Sequence, residues 1–246
     1  MKGGVFMRSG NPVLTDNTFS GVRSYEPDDV MSIQGTTNKS FILLFLVMLT
    51  ASWVWSNPAP GLSFLLPALV GGFVAALITI FKKEWSPVTA PIYAFLEGIV
   101  LGAVSILFEQ SYPGIVMQAV GLTMGTLCAL LIAYRSGMIT VTDQFRRGIV
   151  AATGGIALYY LLSLILGFFH IRLPLIYNSG PLGIGFSLIV VIIAALNLVL
   201  DFDFIERGTR MGVPKYMEWY GAFGLMVTLI WLYMEILRLL SKLRRR

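Results

Sequence analysis

The sequence predicts an all-α membrane protein, a bundle of seven transmembrane helices. Three observations carry that prediction. Hydrophobic residues make up 56% of the 246 residues and charged residues 13%, where a soluble domain carries roughly 25% charge. Mean hydropathy is +0.77. Seven apolar runs, at 41–56, 62–81, 88–108, 115–134, 148–169, 182–200 and 219–240, come close to or reach the roughly 20 residues that cross a hydrocarbon core of about 30 Å. Lipid offers no water to the backbone, so each run must satisfy its own N–H and C=O groups; continuous apolar runs of this length do so as helices rather than barrel strands.

The elements follow in order. Residues 1–39, with "SGNPVLTDNTFSG" and "SYEPDDVMS", are rich in Ser, Gly, Asn, Pro and Asp and show no helical apolar period. They read as a polar, flexible N-terminal tail, leaving 40–246 as the transmembrane domain. Their lack of a long apolar stretch argues against a cleaved signal peptide. The first run stops at "SNPAPG" and the second, which contains Pro67, at "KKEWSP"; the third opens near Pro91 and stops at "EQSYPG". The fourth ends at "RSGMITVTDQFRR", the fifth at "HIRLPLIYNSG", the sixth runs into "LDFDFIERG" and the seventh into "RLLSKLRRR". Connections this short leave no place for a second soluble domain. Gly98 and Gly102, Gly121 and Gly125, and Gly154 with Gly155 are expected to let helices approach closely, with dimerisation as the alternative use. Cys128, the single cysteine, excludes an intrachain disulfide and reads as a small buried apolar residue.

Orientation follows the distribution of Lys and Arg. Loops after the second, fourth and sixth runs carry Lys82, Lys83, Arg135, Arg146, Arg147, Arg207, Arg210 and Lys215, whereas the others carry only Arg172. This places the even loops and the N-terminus in the cytoplasm. Seven full crossings then leave the basic C-terminus outside, against the same rule, unless the last helix re-enters. The net charge of +5 clusters in loops and tail, where it suits anionic lipid head groups rather than nucleic acid.

Acids in the apolar runs are the candidate functional residues, because a carboxylate at a helix centre costs about 2.5–3.5 kcal/mol on insertion scales and tends to face a bundle interior or a water cavity. Glu97 lies mid-run in "APIYAFLEGIVLGAVS" with no basic residue within a turn. Asp201 follows Asn197 by four residues, which puts both on one helix face as a stripe suited to lining a pore, while Asp203 points elsewhere. Asp203, with Glu206, Arg207 and Arg210 beyond it, reads either as an ion contact or as the hydrated end of the run. Glu235 precedes Arg238 by three residues; an ion pair along the helix and a pore contact are both open to it.

Catalysis is poorly supplied. The one histidine, His170, falls at a run's end, and no HExxH, GxSxG, P-loop or Cys/His cluster is present, so an enzyme is not expected, nor a cofactor or a fixed metal site. Carboxylates without bases are hard oxygen ligands for Ca²⁺ and similar cations, and burial favours their protonated form. Cation permeation under proton control is the chemistry such a set supports.

The stretches "PLGIGFSLIVVIIAALNLVLDFDFIERG" and "YMEWYGAFGLMVTLIWLYMEILRLL" resemble the last two helices of the Bax inhibitor-1/YccA family, also called the transmembrane BAX inhibitor motif family. "SGNPVL" and "AFLEGIVLGAVS" resemble its bacterial branch with an extended N-terminal tail. The resemblance implies seven helices with the last one central, an inner-membrane location, and a pH-sensitive cation leak, notably for Ca²⁺, closed by two aspartates on the sixth and seventh helices. Asp201 falls at the first of those aspartates and Thr228 at the second, so the paired pattern is broken here. Thr228 can donate a hydrogen bond to an ionised Asp201, or Glu97 can supply a carboxylate from the third run. Gating and pH sensing are therefore expected of Asp201, Thr228 and Glu97, and ion contacts of Asn197, Asp203 and Glu235. The family also suggests a second function, a regulator that modulates a membrane protease or a stress response through protein contacts, with residues 1–39 docking the partner.

Overall fold

The computed structural model describes residues 29–170 and 178–245. Arg172, counted in the orientation argument, and most of the expected tail lie outside the described residues. Eight α-helices are described: α1 (Ile33–Ser56), α2 (Pro58–Ser63), α3 (Leu65–Phe81), α4 (Ser86–Ser111), α5 (Ile115–Arg135), α6 (Asp143–Phe168), α7 (Pro181–Arg210) and α8 (Met217–Arg244), with a short 3₁₀ turn at Lys83–Trp85. Six are long and apolar enough to cross a membrane, and α3 is a shorter apolar helix. The chain is an all-α membrane protein. Of the six, α8 is the most buried, with 61% of its most apolar stretch enclosed against 17% for α5.

Helix boundaries follow local chemistry that the apolar runs understate. Ser32 caps α1, its Oγ accepting from the Gly35 N–H, so the helix opens at Ile33 and the stretch 33–39 of the expected tail is helical. Thr142 caps α6 by accepting from the Phe145 N–H, which draws 143–147 into the helix. The second run, 62–81, is broken at Phe64, where α2 ends and α3 begins. Pro67 falls in the first turn of α3, where its missing N–H is harmless. Pro91 lies inside α4 rather than at its start, because the helix already opens at Ser86.

Two compact units share the chain. The first, over described residues 29–113 with Phe204–Val227, holds α1 to α4, the end of α7 and the start of α8. Here α4 packs against α1 and α3. Gly98 and Gly102 make the α1 contact possible: a Cβ on Gly98 would lie on Thr50 Oγ1 and the Val47 carbonyl, and one on Gly102 would press on Ala51 and Val54. Val54, Ala68, Ile99, Ala103 and Ile106 form a buried apolar cluster among these helices. Residues before α1 pair with the α7–α8 connection through an isolated antiparallel bridge, Val30 to Pro214, with Met31 N–H donating to Val213 O at 2.7 Å and Lys215 N–H to Asp29 O at 3.0 Å. Glu218, fully buried at the start of α8, accepts from the Ser32 N–H and hydroxyl, both at 2.9 Å, and pairs with Lys39.

The second unit, Gly114–Asp203 with 228–245, holds α5, α6, most of α7 and the rest of α8. Aromatic contacts join its helices: Tyr134 to Phe202 between α5 and α7, and Tyr159 and Tyr160 to Phe186 between α6 and α7. The glycines of α5 and α6 do not repeat the role of those in α4. Nothing lies within 4 Å of a Cβ built on Gly121, Gly125, Gly154 or Gly155, so the expected close packing is absent there among the described residues. Cys128 is exposed on α5 rather than buried. In a membrane helix an outward face meets lipid, and the apolar character of a position does not reveal which way it points.

Candidate intramembrane polar site

In the second unit α7 turns one buried face inward. Gly183, Ser187, Val190, Ala194, Asn197 and Asp201 recur at three- and four-residue spacing, and all are buried, as one face of a helix requires. Asp201 is 0% exposed. Asn197, one turn before it, donates from Nδ2 to Thr153 Oγ1 on α6 and to the Ile193 carbonyl, both at 2.8 Å. Its buried Oδ1 accepts no hydrogen bond among the described residues. Thr228 on α8 belongs to the same unit and is 2% exposed. The stripe expected from the Asn197–Asp201 spacing is thus a buried face, and Thr153 is a member that the sequence reading passed over.

Asp203 lies on another side of α7. Its Oδ2 accepts from Arg146 Nη2 at 3.0 Å, and Arg146 Nη1 reaches the Asp143 carboxylate at 3.3 Å. Arg146 is not a loop cation, as the orientation count takes it to be: it is 4% exposed on the first turn of α6. The capping threonine at 142 followed by an acidic residue was the available signal, since it moves the helix start ahead of Arg146.

Glu235 forms the ion pair along α8 that its spacing suggests, with Arg238 Nη1 at 2.7 Å. Glu235 is buried and Arg238 half-buried, and a third member completes the pair. Tyr160 of α6 places its hydroxyl 3.0 Å from both Glu235 oxygens and accepts from Arg238 Nη1 at 2.7 Å. One turn beyond Arg238, Lys242 is 5% exposed and donates to the Gly183 carbonyl at 3.0 Å and the Ser187 hydroxyl at 2.8 Å. Lys242, part of the basic "RLLSKLRRR" by sequence, is thus drawn into the helix packing.

Glu97 belongs to the first unit. It is half-buried on α4 beside α3, where a Cβ on Gly72 would come 3.6 Å from its carboxylate, and it makes no hydrogen bond or ion pair among the described residues. Among the described residues no group of three or more His, Cys, Asp or Glu side chains is placed to hold a metal.

Helices that span a bilayer, with carboxylates, an asparagine and basic groups buried in their interior, define a polytopic membrane protein with an intramembrane polar site. The particular family is known as well. The sequence model of the family described as Bax inhibitor 1 like matches residues 11–245, and the chain belongs to that family. No curated protein matches it.

Proposed function

We propose that the protein is a cation leak channel, permeable to Ca²⁺ and sensitive to pH, in the bacterial inner membrane, with its gate around Asp201. The observation that carries this reading is the complete burial of Asp201 on a helix face that also carries Asn197. A carboxylate so placed changes charge and ligating power together when it takes up a proton. Thr228, where the family's second aspartate is expected, offers a hydroxyl in its place, and Glu97 is a further carboxylate available for pH sensing. Asp203 is committed to Arg146 and Glu235 to Arg238; in this reading they set the field along the path. The role is not enzymatic, and its partners are cations and lipids. The test is Ca²⁺ flux into liposomes at roughly pH 6 and pH 8 for wild type, Asp201→Asn and Glu97→Gln. Flux in the wild type whose pH dependence disappears in Asp201→Asn supports the gate; no flux from folded wild-type protein refutes the channel.

A second reading, a regulator of a membrane protease or stress response, draws on the contacts just after the N-terminal segment, where Ser32 is held by Glu218 of α8 and Val30 bridges to Pro214 in the α7–α8 connection. Deleting residues 1–28 separates the two: a channel still conducts, and a regulator loses its partner.

A further inference from the structure

The geometry points to Lys242 as a tethered cation that occupies an oxygen-lined cation position at the start of α7 and restrains ion passage there; this rests on the channel reading. Two oxygens that Lys242 Nζ contacts, the Gly183 carbonyl and the Ser187 hydroxyl, lie one turn apart on the buried face of α7 that continues to Asn197 and Asp201. A carbonyl and a hydroxyl are the ligands with which selectivity sites replace the hydration shell of a permeant cation. A lysine ammonium satisfies the same oxygens with its own N–H groups, and its covalent tether to α8 prevents it from moving on. Ser187 and Asp201 are separated by about 21 Å along the helix axis, so the position held by Lys242 is a station distinct from the gate around Asp201.

The neighbouring charges fit this role. Glu235, two turns before Lys242 on the same helix, is engaged by Arg238 and by the Tyr160 hydroxyl. An ammonium in a buried site opposes an entering cation, and the opposition is stronger than in water because screening is weak. Glycine at 183 is itself required: a Cβ there would fall on the Asn178 carbonyl oxygen, so the backbone at Asn178 packs directly against the first turn of α7.

The test exploits the single native thiol. Cys128 is changed to serine, Lys242→Cys is added, and cation efflux from liposomes is measured before and after two thiol reagents. Removing the ammonium is expected to raise efflux on the order of tenfold, which corresponds to about 1.4 kcal/mol off the barrier. An aminoethyl methanethiosulfonate, which restores a positive charge, returns it toward the parent level, and the neutral methyl reagent does not. Ser187→Ala, which keeps the lysine and removes one of its seats, raises efflux by a smaller factor and decides the matter if the cysteine variant does not fold. Parent protein that conducts while neither variant changes efflux overturns the tethered-cation role alone, as does an equal response to both reagents. Folded parent and variants that all fail to conduct overturn the channel reading and this inference with it.

Discussion

Arg146 faces two carboxylates of opposite environment, which allows a comparison within one side chain. The Asp203 side chain is 15% exposed and the Asp143 side chain 80%, while the Arg146 side chain itself is 5% exposed. At the observed 3.0 Å, an effective dielectric near 20 gives a gross attraction of about 5.5 kcal/mol for Arg146 and Asp203, before desolvation of both partners is subtracted. At 3.3 Å in nearly bulk water, the Asp143 attraction is about 1.3 kcal/mol before screening and side-chain entropy. Removing one partner of a buried pair leaves the other charge uncompensated and typically costs about 3–5 kcal/mol; breaking an exposed pair costs about 0–1 kcal/mol. Because Arg146 keeps Asp143 when Asp203 is lost, a cost of about 3 kcal/mol is expected for Asp203→Asn, and under about 1 kcal/mol for Asp143→Asn. For a chain of this size those values correspond to a fall in Tm of about 6–12 °C for the first and under about 4 °C for the second. The assay is thermal unfolding of the purified variants in one detergent, followed by a double-mutant cycle with Arg146→Met. Equal destabilisation by the two asparagine substitutions would refute the assignment of Asp203 as the principal partner.

Three further outcomes are expected. Gly98→Ala meets Thr50 and Val47 at the α1–α4 contact and should cost about 1–3 kcal/mol, whereas Gly121→Ala, with open space around it, should leave yield and Tm unchanged; gel-filtration profiles on heating distinguish them. Tyr160→Phe removes the hydroxyl shared by Glu235 and Arg238 and should cost about 1–3 kcal/mol, read as a lower Tm that Glu235→Gln largely abolishes as a separate effect. Glu218→Gln withdraws the charge that holds Lys39 and Ser32, so hydrogen exchange at the Met31 and Lys215 amides should quicken by at least about tenfold while α5 and α6 amides stay unchanged.

Hydropathy alone determined that the chain is an all-α membrane protein and located the apolar body of each long helix, because lipid forces the backbone to satisfy itself and so stretches apolar runs to a readable length; it missed the polar ends, since α1 opens at Ile33 rather than 41 and α7 runs to Arg210 rather than 200. The same constraint made the acids conspicuous: Glu97, Asp201, Asp203 and Glu235 stand out from their neighbours by cost, and the Glu235–Arg238 pair follows from helix spacing. Boundaries set by caps, at Ser32 and Thr142, were written in the sequence but lay in polar stretches where hydropathy is silent. What only the tertiary structure decided was partnership. Arg146 turns from a loop cation into the partner of Asp203, Tyr160 joins Glu235, Lys242 leaves the basic tail for the start of α7, and Gly98 packs where Gly121 does not. Each of these depends on which face of one helix meets another, and in lipid both the packed and the outward face are apolar, so the sequence pattern that would separate them is missing.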